Sequence, residues 1–185
     1  YIYHEHLSYH SIKSLVPFLN NFGLYISDIT RVNTKGGSIR VLCSKQKIKE
    51  NKVLINEYIN LEKSIGCYEL DTYKRINLEL SSMALQLKRY IINLDKNVSI
   101  FSYGAAPTSI VNSLLLGYDQ HLSAYIDDNK TRQNTLSPNN FIPVLEPIKL
   151  KEFKKPFVII GAWRFSDMII KKIKKINPNA LICIP

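Results

Sequence analysis

The chain has 185 residues, a formal charge of +10, 45% apolar and 22% charged residues. That length suits one large or two small globular domains, and no apolar run reaches the roughly 18 residues a membrane span needs. Cys43, Cys67 and Cys183 are widely spaced and odd in number, so the expectation is three free thiols, no zinc and a cytoplasmic location.

The N-terminal stretch YIYHEHLSYHS gathers His4, His6 and His10 around Glu5. Nothing in a loop fixes three rings on one ion, so a metal is not expected. As acid/base machinery the set is better suited, because histidine titrates near neutrality, a carboxylate can hold its ring, and tyrosines can donate to an oxyanion.

Ser11 is placed to cap a helix carrying Ile12, Leu15, Val16, Leu19 and Phe22, ended by Gly23. The extended runs LYISDITRV and SIRVLCS follow, joined through NTKGG as a hairpin. From Lys45 to about Leu94 the pattern is helical. Val53, Leu54, Tyr58, Ile59 and Leu61 form one stripe; Ile76, Leu80, Met83, Leu87, Tyr90 and Ile91 form another behind a cap at Asp71, and both are expected to be core. The last ninety residues alternate VSIFS, a helix after YGAAP, LSAYI, a lysine-rich helix, PFVIIGA, a helix from about Phe165 to Ile176, and ALICI. Strands alternating with helices predict a parallel, Rossmann-like sheet. The division expected is 1–45, a helical connector over 46–95, and the Rossmann-like domain over 96–185.

Open parallel sheets bind ligands outside the carboxyl ends of their strands. SYGAAPTS, IDDNKTRQ and GAWRFSD fall there. Gly104 permits close backbone approach at a helix start, which suits a phosphate, although it is equally an ordinary turn residue. Asp127, 23 residues on, stands where a dinucleotide fold places its ribose-binding acid, although Asp-Asp-Asn is also a common turn. The excess lysine lies mostly in KLKEFKK and KKIKK, interrupted by apolar residues at helical spacing. These read as solvated helix faces, so neither nucleic acid nor membrane is an expected partner.

Together, YHEHLSYHS, SLVPFLNNFGLYISDITRV, KGGSIRV, SYGAAPTSIVNSLLLG, YIDDNKTRQNTLSPNNFIPV and VIIGAWRFSDMII resemble, in order, the C-terminal portion of S-adenosylmethionine-dependent sugar C-methyltransferases. The resemblance implies that residues 1–45 end a class I methyltransferase domain. It also implies chemistry on a nucleotide-linked 4-keto sugar, with dTDP-sugars as the expected class. His6 would be the base that removes the proton beside the ketone, supported by Tyr3 and Glu5. The turn at Tyr103, Gly104 and Ala105, with Asp127, Trp163 and Phe165, would hold the nucleotide part; Trp163 reads equally as a packing residue. Ser102 stands where the family has glycine, Thr108 where lysine often follows, and Lys35 where histidine is common. These residues contain no glycine-rich loop for S-adenosylmethionine, so none is expected bound to this chain and no activity is expected from it alone. Exposed hairpin edges and an unpaired helix face are candidate homodimer contacts. The second reading is a non-enzymatic nucleotide-binding module of Rossmann type.

Overall fold

The architecture comes from a computed structural model that describes residues 7–34, 37–138 and 140–185. They form two compact units, which divide between Ile76 and Asn77.

The first unit runs over 7–76. Helix α1 (Ile12–Asn21) starts at Ser11, whose hydroxyl accepts from the Ser14 amide while the Ser14 side chain returns a bond to the cap. Gly23 follows at φ +67°, the left-handed conformation that closes such a helix. Strands β1 (Tyr25–Val32) and β2 (Ser38–Ser44) pair antiparallel with Val32 opposite Ser38, as the two extended runs predict, and a register shift falls between Ile26 and Asp28. Helix α2 (Lys52–Ser64) completes the unit. Its Ile55 joins Ile12, Ile26 and Ile29 in a small core, flanked by Leu54, Tyr58 and Ile59. Burying an isoleucine side chain stabilises by about 1.5–3 kcal/mol, so a four-isoleucine core is a modest one.

The Glu62 carboxylate of α2 accepts from the amides of Ile12 (2.6 Å) and Lys13 (3.4 Å) and from the Tyr68 hydroxyl. A carboxylate over the free amides that begin a helix satisfies them and opposes the helix dipole. Burial, and then Glu62 itself, push the Tyr68 phenol up to about 12.

Three sequence expectations change here. Leu54, Tyr58 and Ile59 of the α2 stripe pack on the core, but Ile55 is the buried residue, whereas Val53 and Leu61 are exposed. Helix α3 (Leu70–Ile92) begins one residue before Asp71, which therefore lies inside the first turn, paired with Lys74 at 3.0 Å. Of the α3 stripe only Leu87 and Ile91 are buried; Ile76, Leu80, Met83 and Tyr90 are exposed. Periodicity marks a face but does not say how much of its length is covered.

The second unit, residues 77–185, is α/β and Rossmann-like. Its five-stranded parallel sheet has the order β5-β4-β3-β6-β7. The strands are β3 (Ile100–Tyr103), β4 (Ala124–Ile126), β5 (Val144–Leu145), β6 (Phe157–Ile160) and β7 (Leu181–Cys183); α4 (Pro107–Leu115) follows β3, and α5 (Ser166–Ile176) follows β6. The chain enters at the centre, steps outward through β4 to β5, then returns to place β6 on the other side of β3. The two-residue β5 is too short to carry a periodic signal, and the predicted lysine-rich helix is a 3₁₀ segment, Pro147–Glu152.

Helices and loops cover both faces, so the central strands read as continuous apolar runs. Phe101, Tyr103, Val158 and Ile160 face α5 through Ile169 and Ile173. Ile100, Phe157 and Ile159 face the last turns of α3 and Tyr118. Among the described residues no helix is long and apolar enough to cross a membrane.

Candidate functional site

The order of connection reverses between β3 and β6, the switch point outside whose carboxyl edge open parallel sheets bind ligands. The turn after β3 (104–106) and the segment after β6 (161–165) meet there. The Tyr103 carbonyl ties them together, accepting from the amides of Gly161 (2.9 Å) and Ala162 (3.0 Å).

The approach is close because small residues line it. Gly104 has φ +113°, and a Cβ there would lie 2.7 Å from the Ser109 hydroxyl and 3.2 Å from the Ala162 nitrogen. A Cβ on Gly161 would lie 3.0 Å from that of Ser109. Ser102, in the place of a family glycine, is fully buried, with its hydroxyl 3.5 Å from that of Tyr118. It faces Tyr118 on one side of the sheet, where a hydroxyl finds a polar neighbour.

Asp127 is buried and turned inward. One carboxylate oxygen accepts from the Ala105 amide (2.7 Å) and from Arg132 (3.3 Å), and the other accepts from the Asn129 amide (2.8 Å). Its place in the structure is to lock the loop after β4 onto the turn after β3. The Ala105 amide is thereby engaged within the protein, and neither Asp127 oxygen is left bare for a ribose.

Tyr103 is likewise buried, at 2% exposure, and donates its hydroxyl to Asp128 (2.9 Å), which also takes Lys172 of α5. This chain joins β3, the loop after β4 and α5 at one corner of the sheet. Burial first, then the bond to Asp128, hold the Tyr103 phenol far above the ordinary tyrosine range, and burial pushes Tyr118 up to about 12. Such groups stay protonated in the folded state but ionise on unfolding above about pH 10, so the unfolded chain then binds fewer protons and stability falls as pH rises. Tyr103→Phe should flatten that fall in chemical-denaturation curves taken from pH 8 to 11. An equal slope in both proteins would remove Tyr103 as its source.

Trp163 and Phe165 sit on the 3₁₀ turn Trp163–Phe165 with 47% and 55% exposure. Of the six substrate-binding candidates described, these two present side chains at the edge. Gly104 and Ala105 contribute backbone, and Tyr103 and Asp127 act from beneath. Tyr3, Glu5 and His6 lie outside the described residues. Sequence reasoning passed over Asp128, Lys172 and Arg132, although the doubled acid in IDDNKTRQ offered a signal: two adjacent carboxylates at a strand end point opposite ways and need two partners.

An S-adenosylmethionine site does not fit this edge. The turn carries one glycine, its Ala105 amide is taken, and the acid that would meet a ribose is spent on holding the loop.

The fold therefore defines the class: a Rossmann-like domain whose carboxyl edge is built by close loop packing and not by a glycine-rich dinucleotide loop. Residues 33–184 match the model of the C-methyltransferase C-terminal domain, and the chain belongs to that family. It is also similar to the C-methyltransferase NovU of Streptomyces niveus, with 24% identity over 182 residues, covering 96% of this chain and 43% of that protein. The chain thus spans less than half the length of that relative. Both findings bear out the resemblance read from the motifs.

Proposed function

We propose that this chain is the C-terminal portion of a C-methyltransferase acting on a nucleotide-linked 4-keto sugar, and that it carries the base and much of the surface that holds the nucleotide. The supporting observation is the switch point between β3 and β6 in the sheet's strand order, in a chain of the C-methyltransferase C-terminal domain family.

In this reading His6 removes the proton α to the ketone. The task requires a base that is neutral near pH 7, and an imidazole meets it. Glu5 orients the ring and stabilises the imidazolium that forms, while Tyr3 donates toward the enolate oxygen. S-adenosylmethionine supplies the methyl group from outside these residues. Trp163 and Phe165 border the nucleotide part of the substrate, and Tyr103, Gly104, Ala105 and Asp127 shape the edge beneath it.

Titrating the chain with dTDP and, separately, with S-adenosylmethionine tests the proposal: the nucleotide is expected to bind and the sulfonium compound is not.

A further inference from the structure

The lysine-rich run KLKEFKK reads in the sequence as one solvated helix face, and the structure divides it. Lys149 lies on the 3₁₀ segment Pro147–Glu152 and pairs with Glu152 at 2.8 Å. Lys154 and Lys155 come after that segment has ended and line an open cleft of about 770 Å³, within the range of small-molecule sites. Among the described residues neither lysine has a hydrogen-bond or ion-pair partner. The cleft lies where the chain enters β3, β6 and β7, at the end of the sheet opposite the turns after β3 and β6.

Its walls are fixed by the fold. Asn177, 6% exposed just after α5, donates its side-chain amide to the carbonyls of Leu150 (2.8 Å) and Phe153 (2.7 Å), and its side-chain oxygen accepts from the Asn179 amide (3.1 Å). One buried side chain thereby holds the segments that enter β6 and β7. The Ser99 carbonyl accepts from the Phe157 amide and the Pro156 carbonyl from that of Leu181, each at 2.9 Å, which ties all three entries together. A site held in place before its ligand arrives loses little to reorganisation.

Two ammonium groups side by side in a cleft call for an anion. The rest of the lining asks for more than an ion. Val98 and Leu181 provide an apolar floor, while the Ser99 hydroxyl and the Asn179 side-chain amide have no partner among the described residues. Asp95 lines the cleft as well; one of its oxygens accepts from the Asn97 amide (2.9 Å) and side chain (3.1 Å), and the other has no partner among the described residues. A sugar ring matches this division, since its C–H face is apolar and its hydroxyls both donate and accept. The Asp95 carboxylate accepts from a hydroxyl but repels a second anion, which favours one phosphate over a chain of them.

We propose that this amino-edge cleft is a ligand site for a sugar monophosphate, with the phosphate on Lys154 and Lys155, the ring over Val98 and Leu181, and the hydroxyls toward Ser99, Asn179 and Asp95. The inference does not rest on the nucleotide reading above.

The test is calorimetric titration of the 185-residue chain with glucose 1-phosphate, glucose and inorganic phosphate, each with and without excess dTDP. Replacing both lysines, Lys154→Ala with Lys155→Ala, removes the charge, and Asn179→Trp fills the cleft from an exposed turn. These exposed side chains make no hydrogen bond within the described fold, so urea midpoints should match that of the unaltered chain. Glucose 1-phosphate is expected to bind more tightly than glucose or phosphate, with dTDP present or absent. Its binding should weaken about tenfold or more in the double lysine variant and with Asn179→Trp, and should fall with added salt. Equally tight binding of inorganic phosphate would reduce the cleft to a charged surface and overturn the sugar. Displacement by dTDP would assign the binding to another site, and unchanged binding in both variants would move it away from this cleft; either overturns the proposal, as does a lack of binding by the unaltered chain.

Discussion

Replacing His6 with alanine in the full-length gene product should lower the rate of methyl transfer by about a hundred- to ten-thousand-fold, the usual contribution of a positioned general base. The loss is expected in kcat, with KM for the sugar nucleotide changed little, because an imidazole that acts only as the proton moves adds nothing to ground-state binding. The pH profile offers a second readout. The proposal requires a neutral imidazole, so the unaltered enzyme is expected to lose rate on the acid side of neutrality. In His6→Ala that acid limb should disappear from the residual rate. Turnover within a few-fold of the unaltered enzyme would leave the proton abstraction to another group.

Replacing Gly104 with alanine should destabilise the second unit by roughly 2–4 kcal/mol, since φ +113° is essentially closed to L side chains and the new methyl group meets atoms that cannot all retreat. The Ser109 hydroxyl at 2.7 Å can rotate, but the Ala162 nitrogen at 3.2 Å is backbone and already bonded to the Tyr103 carbonyl. Any relief must therefore part the loops after β3 and β6, and if they border the nucleotide as proposed, its binding should weaken along with stability. Gly117 supplies the control: it also has positive φ, at +67°, but nothing within 4 Å, so Gly117→Ala carries backbone strain alone, about 1–2 kcal/mol. Urea unfolding of the two variants compares them. Equal losses would mean that loop packing at Gly104 is not tight.

Much of the second unit could be read from the chain because its signals are local. VSIFS, LSAYI, PFVIIGA and ALICI are apolar runs bounded by turn residues; three of the five strands lie within them, and β3 overruns VSIFS by one residue, Tyr103. A helix start after YGAAP follows from Pro107, whose fixed φ suits the first helical position. What escaped was decided by contacts distant in sequence. The α2 stripe is one such case, because Ile55 and Val53 are both good core residues and only the hairpin packed on α2 selects between them. Met83 and Tyr90 are another: their spacing announces a buried face, and the structure leaves it partly open.

The edge residues divide in the same way. Gly104 was legible because only glycine accepts both the φ and the close approach. That Trp163 and Phe165 lie just past a strand end was legible because the apolar run PFVIIGA stops before them. The inward turn of Asp127 was not, because the same acid at the same distance from the glycine serves a ribose in one fold and a backbone amide in another. The choice depends on whether a partner such as Arg132 shares the carboxylate, and five residues of loop conceal that until the chain is folded. Asp128 and Lys172 are 44 residues apart and meet only because α5 returns along the sheet.

On the proposed function, these 185 residues hold the nucleotide end of the substrate and do not hold the methyl donor. Isothermal titration of the chain against dTDP and against S-adenosylmethionine at equal concentrations tests it most directly. Saturable binding of dTDP is expected, accompanied by stabilisation of about 2.7 kcal/mol at a hundredfold excess over Kd, and no heat from S-adenosylmethionine. Saturable binding of S-adenosylmethionine, or no binding of dTDP, would contradict it.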